Sequence, residues 1–312
     1  MVRAPFLLET AVAKMKFNPD TPLYTSDVKG WRMDQFDTVM SKVLADGKPV
    51  VLFVHGRGKE PGKGLLGATF TEGKAVHKIE RGYDVNVLMF NWDSAFKGFS
   101  FLDREVPLSH TSAGGAALGR VVAALQQYQA QHPDTRKPAL LVHSMGSVVL
   151  QKAVTEGRWP QANDLFSAVL LSQPDADDVG HAQWLDELAV REKTFVTLNR
   201  DDNVLRRSTD SRPPGAHALG LDTVQPLAQH ATYIDISRMG PTGEKDEDHE
   251  VFGKGAMNQQ IFLCQFFTQA MTGQKVVLDP AKNVESVERG VVHRLRDKRQ
   301  PGAPCLKVPE LP

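Results

Sequence analysis

Residues 140–150 read LLVHSMGSVVL. An apolar run leads straight into Ser144, and a second apolar stretch leaves it at once, with Gly146 between them. Continuous runs of Val and Leu mark strands buried on both faces. The apolar stretch that follows predicts a helix. A strand that turns sharply into a helix at a serine lifts the hydroxyl to the top of a sheet, the layout of a nucleophile elbow. Such a turn strains the serine backbone, and Gly146 is the small neighbour that relieves the crowding. Val142 stands where the full pattern G-x-S-x-G has its first glycine. A serine before an apolar helix can also be a simple cap, so the surrounding sequence has to decide.

Working outward, five more apolar runs share the character of 139–143. They are VVLFVH (50–55), VNVLMFNW (85–92), AVLLS (168–172), TFVTLN (194–199) and the weaker TYIDI (232–236). Runs of four to eight residues rich in Val, Leu and Ile predict strands of a parallel sheet. Helices are predicted between them over 33–45, 114–131, 147–156, 182–191 and 257–271. The clearest is 114–131, where Leu118, Val121, Val122 and Leu125 recur at helical spacing before His132-Pro133. Strand–helix alternation predicts an α/β, doubly wound, mostly parallel sheet with its site at the carboxyl ends of the strands. Residues 212–225 and 240–255 read as irregular.

The chain has 312 residues, with Lys+Arg and Asp+Glu both 37. Zero formal charge argues against a dedicated nucleic-acid binder. Two cysteines, Cys264 and Cys305, make no disulfide framework and no zinc cluster, a usage that fits a reducing, cytoplasmic setting. No stretch approaches the roughly 18 apolar residues of a membrane span. The expected organisation is an N-terminal extension (1–47) packing on the core, a catalytic domain (48–275) and a basic C-terminal tail (276–312).

A serine nucleophile needs a base and a carboxylate to orient that base. In this fold class they follow in the order Ser, acid, His, each from a loop after a later strand. His249, in a polar loop after the sixth run, is the expected base. His143 is expected to pack, and His230 lies at the wrong end of its strand. Asp202, after the fifth run, is the expected acid, with Asp175 the main rival and Asp177 and Asp201 behind it. Met145 and Arg57 are the expected backbone donors of an oxyanion hole, with His55 structural. Trp92, Phe96 and Phe99 are candidate pocket walls or, equally, core; Asp103 and Arg104 read as a structural ion pair. The glycine-rich loop after His55 lacks the spacing of a phosphate cradle. Neither metal nor organic cofactor is expected.

HGRG after a strand, VLMFNWDS, LLVHSMGSVVL, VLLSQPDAD and TLNRDDNVL together resemble a bacterial α/β-hydrolase family, first described as a domain of unknown function and labelled esterase/lipase-like. Trp92, His143-Ser144-Met145-Gly146, Pro174-Asp175, Asp202 and His249 match its motif positions, across roughly residues 48–272. Val142 and Asn199 depart from the pattern without removing a chemical group. The resemblance implies serine hydrolysis and fixes no substrate; a small-molecule carboxylic ester is the expected substrate, with thioesters or amides behind it. A hydrolase fold that has lost catalysis and binds a partner is the alternative.

Overall fold

A computed structural model describes residues 6–9, 23–27, 30–34, 36–57, 75–76, 78–94, 104–160, 164–188, 193–223, 225–239, 249–252 and 260–299. The elements in chain order are β1 (Phe6–Glu9), β2 (Leu23–Asp27), β3 (Gly30–Asp34), α1 (Phe36–Leu44), β4 (Val50–Val54), β5 (Asn86–Asn91), α2 (Glu105–Ser109), α3 (Thr111–Gln131) and β6 (Ala139–His143). There follow α4 (Gly146–Thr155), β7 (Val169–Ser172), α5 (His181–Asp186), β8 (Thr194–Leu198), α6 (Asn203–Asp210), β9 (Ala231–Asp235), α7 (Ile261–Met271), β10 (Val284–Glu288) and β11 (Val292–Leu295).

The strands form one 11-stranded sheet in the order β10-β11-β9-β8-β7-β6-β4-β5-β1-β2-β3. All neighbours from β1 through β5, β4, β6, β7, β8 and β9 to β11 pair in parallel. The antiparallel pairs are β1–β2, β2–β3 and β10–β11, at the two ends of the sheet. The six apolar runs are the six central strands. They are buried on both faces because helices cover both. Val50, Leu52 and Val54 of β4 join one core cluster with Val39, Leu118, Val149 and Trp184, from α1, α3, α4 and α5. Val51 and Phe53 face the other cluster, with Leu263, Phe266 and Phe267 of α7.

Both outer segments contribute strands to the sheet. The expected extension 1–47 supplies β1–β3, and β1 pairs directly with β5. The expected tail supplies β10 and β11, with β11 paired to β9. Parallel neighbours satisfy each edge, so these segments complete the sheet. Cys264, in α7, is disulfide-bonded.

Helices α3 and α4 approach closely where α3 has no side chains. A Cβ on Gly115 would lie 2.7 Å from the Ala153 nitrogen, and one on Gly119 would lie 2.4 Å from the Arg158 oxygen. This seats α4, and therefore the turn in front of it, against the rest of the layer.

Candidate active site

Ser144 occupies the single-residue step between β6 and Met145, which precedes α4. Its φ is 52°, left-handed for a residue with a side chain. Such a conformation costs on the order of 1–3 kcal/mol and persists only where surrounding bonds impose it. Here they do. The Ser144 N–H donates to Ser172 O at 3.2 Å. The Ser144 carbonyl accepts from the Asp175 and Ser147 amides, both at 3.0 Å, and from Ser147 Oγ at 2.6 Å. Ser147 Oγ in turn accepts the Ala176 N–H at 2.8 Å.

Glycine is required on both sides of this turn. A Cβ on Gly146 would sit 2.7 Å from the carbonyl oxygens of Val54 and His55. One on Gly56 would sit 2.7 Å from Ser144 Cβ and 3.3 Å from its Oγ. The chain leaving β4 therefore passes in contact over the serine. Val142 does not prevent the turn: it is fully buried in the core with Val54 and Leu171, away from the hydroxyl.

His249 Nε2 accepts from Ser144 Oγ at 2.9 Å, and its Nδ1 donates to Asp202 Oδ2 at 2.7 Å. The loop carrying His249 is pinned by the next apolar residues, since Val251 and Phe252 are buried and Tyr83 Oη donates to Phe252 O at 3.0 Å. The His143 ring stands against the imidazole with centroids 4.8 Å apart. His143 is itself buried, with Nδ1 donating to Ser172 O at 3.1 Å. Burial alone pushes His249 toward the neutral form. The Asp202 charge and hydrogen bond, helped by Glu250 and Asp175, outweigh it and hold the imidazole pKa above its ordinary value.

Asp202 is fully buried and also caps α6, its Oδ1 accepting from the Val204 and Leu205 amides at 2.9 Å each. Its Oδ2 accepts a second bond, from Gln173 Nε2 at 2.6 Å. Four donors thus converge on this one carboxylate and fix its plane.

The rival acids are engaged elsewhere. Asp175 Oδ1 accepts from Ser208 Oγ at 2.5 Å and Arg212 Nη2 at 3.0 Å, and its Oδ2 lies 3.4 Å from Arg104 Nε. Burial would raise the Asp175 pKa, but the two guanidinium groups and Ser208 hold it below the usual range. Asp177 pairs with Arg212 at 2.6 Å. Asp201 Oδ2 accepts the Arg238 N–H at 2.7 Å. Arg104 pairs with Asp175; Asp103, its expected partner, lies outside the described residues.

Met145 follows Ser144 directly, and Arg57 follows Gly56, whose Cβ would meet the Ser144 side chain. Met145 stands at the start of α4, where the first N–H groups of a helix have no intrahelical acceptor. Trp92 is core, with no exposed surface and its indole N–H donating to His55 O at 2.8 Å. The pocket-wall reading of Trp92 is therefore corrected. Its partner His55 is buried, with ring nitrogens 2.7 Å from Gly56 O and 2.8 Å from Asn91 Oδ1. Burial depresses the His55 pKa to about 4 against those two contacts, so the ring is neutral. Phe96, Phe99, the glycine-rich loop after residue 57 and most of 240–255 lie outside the described residues. Among the described residues no group of three or more His, Cys, Asp and Glu could hold a metal ion, and no helix is long and apolar enough to cross a membrane.

Sequence reading missed Ser147, which braces the elbow from behind, and Gln173. Neither belongs to a spaced pattern; each is a single polar residue whose partner comes from another strand end. A family model described as "Alpha/beta hydrolase of unknown function (DUF900)" matches residues 32–219, more than half of the chain. That stretch contains Ser144 and Asp202 and ends before His249. No curated protein and no solved structure matches the chain.

Proposed function

Since the chain belongs to the DUF900 family of α/β hydrolases, we propose that it is a serine hydrolase cleaving carboxylic esters through an acyl-enzyme. The observation that carries this reading is the continuous relay from Ser144 Oγ to His249 at 2.9 Å and from His249 to Asp202 at 2.7 Å. Ser144 Oγ attacks the ester carbonyl while His249 Nε2 takes its proton. Asp202 keeps the Nδ1 proton in place, so Nε2 presents its lone pair to the serine, and it stabilises the imidazolium that forms. The oxyanion of the tetrahedral intermediate is met by the Met145 and Arg57 N–H groups. His249 then returns the proton to the departing alcohol oxygen. Water, deprotonated by the same nitrogen, attacks the acyl-serine and frees the acid. The strain at Ser144 and the glycine contacts at 56 and 146 support the reading, because both serve to hold one hydroxyl against His249.

Labelling with a fluorophosphonate probe tests it. The wild type should label and hydrolyse p-nitrophenyl esters, and Ser144→Ala should do neither while melting as the wild type does. A folded wild type that neither labels nor hydrolyses would move the reading to a partner-binding hydrolase fold.

A further inference from the structure

Gln173 follows β7 and is fully buried. Its φ is 47°, the left-handed region in which glycine or asparagine sits more easily. Its backbone is clamped there. The Gln173 N–H donates to Thr197 Oγ1 at 2.7 Å. Gly220 packs so closely that a Cβ on it would lie 2.5 Å from the Gln173 carbonyl carbon. The side chain reaches Asp202, Nε2 donating to Oδ2 at 2.6 Å. Oε1 faces the Val251 N–H at 3.5 Å, a long contact, two residues beyond His249. A carboxylate can only accept and an amide N–H can only donate, so these two partners fix which end of the amide is nitrogen.

Oδ2 of Asp202 is also the atom that binds His249 Nδ1. One glutamine therefore shares the oxygen that orients the base and touches the segment carrying it, from a loop after a different strand. A strained backbone at a non-glycine residue, held by neighbours, points to use of its side chain.

We infer that Gln173 is a positioning residue: it fixes the Asp202 carboxylate, through which it sets both the orientation and the basicity of His249. The inference rests on the Ser144–His249–Asp202 reading above. Gln173 withdraws part of the carboxylate charge from Oδ2. Without that donor, Asp202 favours the imidazolium more strongly, so the His249 pKa rises further and the carboxylate is free to turn.

The test uses the full chain with Gln173→Met, which keeps length and loses both polar atoms, and Gln173→Asn, which tolerates the backbone conformation but stops short of Asp202. The kcat and KM for a p-nitrophenyl ester are measured against pH, with thermal melting as a control. A lost hydrogen bond to a charged group predicts a fall in kcat of about tenfold to a hundredfold. KM should hold, because Gln173 is sealed from solvent, and the acid limb of the pH profile should move to higher pH. An acid limb left in place in a folded variant, whatever its kcat, overturns the inference, since support of the fold alone would not shift a titration. If Gln173→Met does not fold, Gln173→Asn decides by the same readout. Ester hydrolysis that survives Ser144→Ala would instead overturn the serine-hydrolase reading, so the two failures are distinguishable.

Discussion

Asp202 has two tasks that a single substitution separates. One oxygen caps α6 and the other faces His249. Asparagine is as good a helix cap as aspartate, so Asp202→Asn should keep α6 and the fold, with a melting temperature lowered only by the loss of the acceptor for Gln173 Nε2, worth about 1–3 kcal/mol. Its amide cannot accept the Nδ1 proton with a full charge, which leaves the imidazole in the wrong tautomer. A fall in kcat of about 10³–10⁴-fold is expected by analogy with other serine triads. The pH dependence carries a sign. In the wild type the His249 pKa is raised, so activity should climb with pH through a value above the ordinary 6.5. In Asp202→Asn the charge that raises it is gone, and the acid limb should move down. Near-wild-type kcat in that variant would remove Asp202 from the relay. Ser144, Asp202 and His249 were legible because each follows a recognisable apolar strand and carries a chemistry the others need. Gln173 and Ser147 were not, because a lone amide or hydroxyl acquires meaning only from a partner that the sheet brings close.

The contact between α3 and α4 decides where the elbow sits. Replacing glycine by alanine inside an exposed helix ordinarily stabilises it, by about 0.4–1 kcal/mol. At Gly119 the added methyl would stand 2.4 Å from the Arg158 carbonyl oxygen, a backbone atom that cannot swing aside. Gly119→Ala should therefore destabilise, by about 1–3 kcal/mol as overpacking does, read as a lower urea midpoint at unchanged slope. An unchanged or higher midpoint would show that the helices have room to separate. The same logic explains which elements the sequence revealed. Central strands such as β4 and β6 are buried on both faces and read as unbroken apolar runs. At the sheet edge β10 reads VESVE, with Val284 buried and its two glutamates exposed, so it looked like part of a charged tail. Helix α6, NVLRRSTD, buries only Leu205 and carries no apolar stripe strong enough to announce it.

Across the whole molecule, the late strands are tied to the site by charge. Asp235, at the end of β9, accepts from Arg200 at 2.9 Å and from Arg294 of β11 at 2.8 Å. Arg200 belongs to the turn that carries Asp202, so the sheet edge beyond β9 and the acid loop share one buried carboxylate. Stability against pH should reflect the histidines. His55, His181 and His293 all have pKa values lowered by burial, His55 to about 4, while His249 is raised. As pH falls below 6.5 the unfolded chain takes up protons that the native His55 refuses, so the native state loses stability down to about pH 4. For His55 alone the loss is on the order of 3 kcal/mol. The His249 contribution has the opposite sign: it is complete below 6.5 and disappears as pH rises through its raised value. It cannot offset the acid loss, because it is already constant there. Carboxylates contribute only below about pH 5, so the interval between about pH 6.5 and 5 isolates histidine. Urea midpoints should fall through that interval, and His55→Asn, lower in stability throughout, should flatten the slope. A wild-type midpoint constant across it would mean that His55 is hydrated or charged in the native state, and that the seam between β4 and β5 is looser than the close contacts of its ring with Gly56 and Asn91 imply.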